Sequence, residues 1–197
     1  MSRIASVLLI AASAGAIVPQ YLVLGFTHIL PLGLDHILFI LGLFFLSQDA
    51  FALLLQVTLF TVAHSLTLGL SLAGVVSAPT ALVEVAIALS IAFIGIENMF
   101  NERLSRWRPW MVFGFGLIHG LGFAHTFQET AVEQTMLIPA LFSYNIGIEL
   151  GQLAVIGSAF IGVSLWWKRA WYPQMIARPA SAIIATVALY WAVERSL

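Results

Sequence analysis

Long apolar runs alternate with short polar breaks along the whole chain. The breaks are "SQD" at 47–49, "VVSAPT" at 75–80, "NERLSRWRP" at 101–109, "QETAVEQ" at 128–134 and "KRAWYPQ" at 168–174. A bilayer core takes roughly 20 apolar residues of helix. The pattern therefore predicts about seven transmembrane helices, near 4–18, 20–47, 50–74, 79–100, 109–127, 135–167 and 174–195. The stretch 1–18 has one basic residue, a short apolar core and small residues near its end, as a signal peptide does. It is read here as a short first helix. In the second span Pro31 removes a backbone donor and Gly33 loosens the turn, so that helix is expected to break. The span 135–167 is too long to stand upright and is expected to tilt or to start after Pro139. Breaks this short make successive helices antiparallel neighbours.

Composition turns this pattern into a class. The chain has 197 residues, 61% of them hydrophobic and 9% charged, with a mean hydropathy of +1.01. A soluble domain carries about 25% charged residues. The fold class is thus all-α, a polytopic membrane helix bundle forming one domain over 1–197, with the lipid bilayer as its first partner. There is no basic patch, which excludes nucleic acid. Cysteine is absent, which excludes disulfides and thiolate metal sites.

Charge sets an orientation. Arg103, Arg106 and Arg108 share one break, Lys168 and Arg169 another, and Arg3 precedes the first span. With seven spans all lie on one side, opposite Glu129 and Glu133. The positive-inside rule then puts the N-terminus in the cytoplasm and the C-terminus outside, in the inner (cytoplasmic) membrane. Trp107, Trp110, Trp166, Trp167 and Trp171 fall at span ends, where interfacial aromatics sit.

The polar residues inside the spans carry the chemistry. All five histidines, His28, His36, His64, His119 and His125, lie there, with Asp35, Glu84, Glu97 and Glu149. Four ionised carboxylates in lipid would cost on the order of 10–14 kcal/mol without compensation. No lysine or arginine lies deep in a span, so protons, hydrogen bonds or a bound cation are expected to balance them. Imidazole with carboxylate is a ligand set for a divalent transition metal. The expected ligands are His28, Asp35, His36, His64, His119 and Glu149. His28 and Asp35 are seven apart, on one face of an unbroken helix. Thr61, His64, Thr67 and Ser71 form a helical stripe, as do Asn145, Glu149 and Gln152. Glu84, His125, Asn145, Gln152 and Glu97 are secondary candidates. His125 stands about 120° around the helix from His119, and Glu97 with Asn98 also reads as a solvated span end. Glycines 114, 116, 120 and 122 around His119 allow the close helix contact that a site shared between helices needs.

At these residues the chain resembles the HupE/UreJ family of membrane proteins, accessory to nickel hydrogenases and ureases. The resemblance rests on "HILPLGLDHILF", "FTVAHSLTL", "VEVAIALSIAFIGIEN", "GFGLIHGLGFA" and "FSYNIGIELGQ". It implies uptake of nickel, or cobalt, across the cytoplasmic membrane. The family's His–Asp–His signature falls on His28, Asp35 and His36, and its His–Gly signature on His119 and Gly120. Six residues separate His28 from Asp35 where the better-known branch has five, and Thr126 stands where that branch has Glu. The chain is thus more similar to a second branch.

Two functions fit these residues. One is a permease for a divalent cation, nickel or cobalt as substrate. No G-x-x-x-x-G-K-[ST] motif is present, so the membrane potential or protons would drive it. The other is an intramembrane zinc-dependent hydrolase on the same His/Asp site, with Ser65 beside His64. A retinal protein is excluded, because Lys168, the only lysine, lies at a membrane boundary. A homo-oligomer is compatible with either function.

Overall fold

The computed structural model describes residues 17–47, 49–101, 103–128 and 136–197. The predicted span 4–18 falls almost wholly outside them. The described residues form helices joined by short turns: α1 (Ile17–Ile29), α2 (Leu34–Leu46), α3 (Ala50–Leu72), α4 (Thr80–Phe100), α5 (Arg108–Gln128), α6 (Leu137–Val163) and α7 (Arg178–Glu194). A π-helical turn, Pro173–Ala177, leads into α7. Their bounds follow the apolar runs within a few residues. The exception is the run 20–47, which divides into α1 and α2, bent by 68° across residues 30–33.

Helices α3, α4 and α6, and α7 together with its π-helical turn, are long and apolar enough to cross a membrane, and the α1–α2 pair makes a fifth, broken span. The protein is therefore a multi-pass membrane protein. Helix α6 begins at Leu137 and takes Pro139 into its first turn, where a missing backbone N–H costs nothing. Its 27 residues span about 40 Å at 1.5 Å per residue, so it tilts in a core about 30 Å thick. Helix α5 is less apolar, because glycines and histidines replace large aliphatics. It is held in the bundle by α3 instead.

Close backbone contacts fix the helices around the bundle centre. A Cβ on Gly120 of α5 would collide with the His64 carbonyl and the Thr67 hydroxyl of α3. Thr67 Oγ1 donates across this contact to the Leu117 carbonyl at 2.8 Å. Gly147 of α6 likewise meets the Leu22 carbonyl of α1. Between these contacts lie two apolar clusters. One contains Phe39, Phe60, Ile91, Ile94 and Val112; the other contains Tyr21, Ile29, Ile40, Tyr144 and Ile148. Outward-facing residues such as Leu66, Leu82 and Ile161 are exposed and apolar, as a lipid-facing surface requires.

One end of the bundle is locked by a buried arginine. Arg108, at the start of α5, is fully buried. It donates to Glu97 Oε2 at 2.6 Å, Gln56 Oε1 at 2.9 Å and Asn98 Oδ1 at 3.2 Å, tying α3, α4 and α5 together. Asn98 also donates to the Gly42 carbonyl of α2 at 2.7 Å and to Ser181 of α7 at 3.1 Å. The reading of Glu97 and Asn98 as a solvated end is corrected here: the Arg108 guanidinium covers both of them. The opposite end of the bundle carries Glu84, Arg195 and the mouth of a cavity.

Candidate metal centre

The 68° bend decides which residues meet. On a continuous helix His28 would face Asp35. The break swings α2 away, so that His36 lies beside His28, with ring centroids 4.6 Å apart. Asp35 turns toward the bundle end instead. His64 of α3 lies 6.0 Å from His28 and 5.7 Å from His36, centroid to centroid. His119 of α5 lies 5.1 Å from His36. Four helices thus bring four imidazoles to one place. One nitrogen from each of His28, His36 and His64 falls in a group whose members all lie within 4.8 Å of one another.

The hydrogen-bond state of these rings is unusual. Five of their nitrogens are buried without a hydrogen-bond partner: His28 Nε2, His36 Nε2, both nitrogens of His64, and His119 Nδ1. Each unsatisfied buried polar atom costs about 1–3 kcal/mol, so together they would cost roughly 5–15 kcal/mol. His119 shows how a ring is prepared. Ser90 Oγ donates its one proton to the Ile87 carbonyl at 2.7 Å. The 3.0 Å contact between Ser90 Oγ and His119 Nε2 is therefore Nε2–H donating to the hydroxyl. That tautomer leaves Nδ1 with a bare lone pair. Fixing a ligand ring through its far nitrogen is a common feature of metal sites.

The imidazoles open into a cavity of about 620 Å³, lined by His28, Asp35, His36, Glu84, His119 and Arg195 among others. Arg195 guards its mouth. Its Nη2 lies 3.0 Å from Asp35 Oδ1 and 3.1 Å from Oδ2. Its Nη1 lies 3.1 Å from Glu84 Oε2, and its guanidinium packs on the Trp191 ring. Ions bound by nitrogen ligands at about 2.0–2.1 Å in a tetrahedron hold those nitrogens about 3.3–3.4 Å apart. The three nitrogens here stand at most 4.8 Å apart, so each ring needs to move by no more than about an ångström and a half to meet that spacing.

A family model described as HupE / UreJ protein matches residues 5–195. The chain belongs to the HupE/UreJ family. No curated protein and no solved structure matches it. The residues that carry the family resemblance, His28, Asp35, His36 and His119, all line the one cavity just described.

The remaining candidates lie elsewhere or pair differently. Asp35 and Glu84 are held by Arg195, and Glu97 by Arg108. The expectation that no basic side chain would balance the intramembrane acids is thus wrong for three of the four. Arginines at span ends reach inward on long side chains, which linear position conceals. Glu149 does not line the cavity; its Oε1 lies 2.7 Å from Thr58 Oγ1 and its Oε2 2.7 Å from Thr61 Oγ1, both on α3. The same Thr61 hydroxyl lies 2.9 Å from Gln152 Oε1. Asn145 Oδ1 is buried without a partner. The His125 side chain lies outside the described residues. Ser65 donates to the Thr61 carbonyl at 2.6 Å and is not part of the cavity lining. Reasoning from the sequence missed Ser90 and Arg195. A lone serine amid an apolar span was the signal for the first. An arginine ending the last span was the signal for the second.

Proposed function

We propose that this protein carries a divalent transition-metal cation, nickel or cobalt, across the cytoplasmic membrane into the cell. The observation that supports this most is the convergence of four imidazoles with five unpartnered nitrogens, three of those rings lining one cavity. Neutral imidazoles bind softer divalent cations in preference to magnesium or calcium, which take oxygen ligands.

The open end is the one away from Arg103, Arg106, Lys168 and Arg169, and the charge rule makes it the external side. A cation arriving there meets Asp35 and Glu84 first. They lower its energy at the mouth while Arg195 is displaced or shifts between them. It then exchanges its water for His36, His28 and His64, with His119 presenting Nδ1. A divalent ion gains roughly 4.6 kcal/mol per 100 mV on moving inward, twice the value for one charge, so no nucleotide site is required. Binding needs the rings unprotonated, and proton uptake by them on the inner side would release the ion.

The test is uptake of nickel, cobalt and magnesium into liposomes containing the purified protein, under an inward potential, with His36→Ala beside it. Uptake of nickel or cobalt but not magnesium, lost in the variant, is the expected result. Stoichiometric zinc that does not exchange, with no uptake, would favour a hydrolase. Protein that binds no metal at all would remove this reading.

A further inference from the structure

Lys168 and Arg169 are two charges that the histidine cavity leaves unused. Both are exposed, and among the described residues neither forms an ion pair or a side-chain hydrogen bond. They stand on a turn that backbone bonds hold closed after α6. Trp166 N and Trp167 N both donate to the Val163 carbonyl at 2.9 Å, and Arg169 N donates to the Trp166 carbonyl at 2.8 Å. The Trp167 ring wedges the turn against the bundle, with its centroid 5.6 Å from that of Phe44 on α2 and 4.8 Å from that of Phe160 on α6.

A second cavity, of about 550 Å³, opens beside this turn, between Ala50 at the start of α3 and the end of α6. Its walls divide by chemistry. Lys168, Arg169 and Ser164 make the polar part, and Phe160, Leu165 and the Trp167 ring the apolar part. No acid lines it. Asp49, adjacent to Ala50 in sequence, commits Oδ1 to the Phe51 and Ala52 backbone N–H groups as the cap of α3. A free anion would answer only the polar part, and an uncharged lipid only the apolar part. An anion carrying an apolar tail answers both.

The position of the cavity agrees with that chemistry. The 27 residues of α6 outrun a hydrocarbon core about 30 Å thick. Trp166 and Trp171, both exposed on this segment, mark its level as the headgroup layer, where amphipathic rings settle. The charge rule makes this end cytoplasmic, and the cytoplasmic leaflet carries the negative surface. Basic pockets between helices at that level hold anionic headgroups. We infer that this cavity binds an anionic phospholipid, its phosphate between Lys168 and Arg169 and an acyl chain along Phe160 and Leu165. The bound lipid joins the start of α3 to the turn after α6, and its binding does not depend on the transport reading.

The test is lipid binding to the full chain in neutral detergent, followed by native mass spectrometry. Phosphatidylglycerol, phosphatidylcholine and the tailless glycerol phosphate are the probes. The parent should bind one phosphatidylglycerol about tenfold or more tightly than phosphatidylcholine, and glycerol phosphate far more weakly. Lys168→Gln with Arg169→Gln should lose that preference. Arg103→Gln with Arg106→Gln removes the same charge from another break at the same end and should keep it. Ser164→Trp fills the cavity with both cations in place and should lose the lipid. All five substituted residues are exposed, so the variants keep their fold. A parent without the preference overturns the inference, and glycerol phosphate bound as tightly as phosphatidylglycerol overturns it in favour of a free anion. Equal losses in the two double variants would mean diffuse attraction to the basic end, and lipid kept by Ser164→Trp would lie outside the cavity; either result also overturns it.

Discussion

Arg195 Nη2 lies 3.0 and 3.1 Å from the two oxygens of Asp35, so a cation already occupies the acid nearest the histidine cavity. The pair is about a quarter exposed on both sides, and ion pairs with this much water contribute about 0–1 kcal/mol to stability. Its larger effect falls on an incoming cation, which Arg195 repels and for which it competes. Arg195→Gln should therefore fold normally and bind nickel more tightly. On the order of 1 kcal/mol of relieved repulsion corresponds to about fivefold. Equilibrium dialysis at low salt measures this, and added salt should shrink the difference. An affinity equal to or weaker than the parent's would show that Arg195 is not an opponent of the cation.

Ser90 acts through His119 and not on the cation itself. It fixes the His119 tautomer by accepting from Nε2, because its own proton is committed to the Ile87 carbonyl. Ser90→Ala frees the ring to protonate either nitrogen and to rotate. Loss of a group that orients a ligating ring typically costs 10- to 100-fold in metal affinity. The expected loss here is toward the lower figure, since three other rings remain. Nitrogen NMR of labelled histidine should show one His119 tautomer in the parent and a mixture in the variant. Unchanged affinity together with a mixed tautomer would remove His119 from the ligand set.

Much of the fold was legible because lipid imposes a simple rule. Every apolar run longer than a bilayer core became helix, and the breaks at 47–49 and 75–80 fell where Asp49 caps α3 and where α4 begins. Pro31 and Gly33 announced the broken span. The direction of the break was not legible. Spacing alone paired His28 with Asp35, whereas the bend exchanged His36 for Asp35 as the neighbour of His28. The histidines were legible as a set in one respect: His28, His36, His64 and His119 stood out on apolar helices, and the structure brings these four together. The acids were less so. Their partners, Arg108 and Arg195, sit at helix ends far away in sequence, and a six-bond side chain covers a distance that residue counting ignores.

The unpartnered nitrogens predict a trade between binding and stability. His64 is fully buried with neither ring nitrogen bonded. Replacing it by an apolar side chain of similar volume removes two unsatisfied atoms, each costing about 1–3 kcal/mol. His64→Leu should therefore melt several degrees higher than the metal-free parent in detergent. It should also lose the further stabilisation that the parent gains on adding nickel. Thermal unfolding with and without metal measures both. A variant less stable than the metal-free parent would mean that His64 is already satisfied in that state.

Arg108 predicts the opposite sign. It is a fully buried guanidinium serving Glu97, Gln56 and Asn98 on two other helices. Removing one partner of a buried pair strands the other charge, which costs about 3–5 kcal/mol. Removing both partners spares much of that. Arg108→Met alone and Glu97→Gln alone should each destabilise the bundle strongly. Arg108→Gln is the milder single change, because an amide still reaches Asn98. The double variant Arg108→Met with Glu97→Gln should lie closer to the parent than the sum of the singles, by about 2 kcal/mol or more. Nickel binding should survive in all of them, since the lock lies at the end of the bundle opposite the cavity mouth. Chemical denaturation of the four proteins tests the cycle. Simple additivity would mean that Arg108 and Glu97 do not act as a pair, and loss of nickel binding in the folded double variant would join the lock to the site.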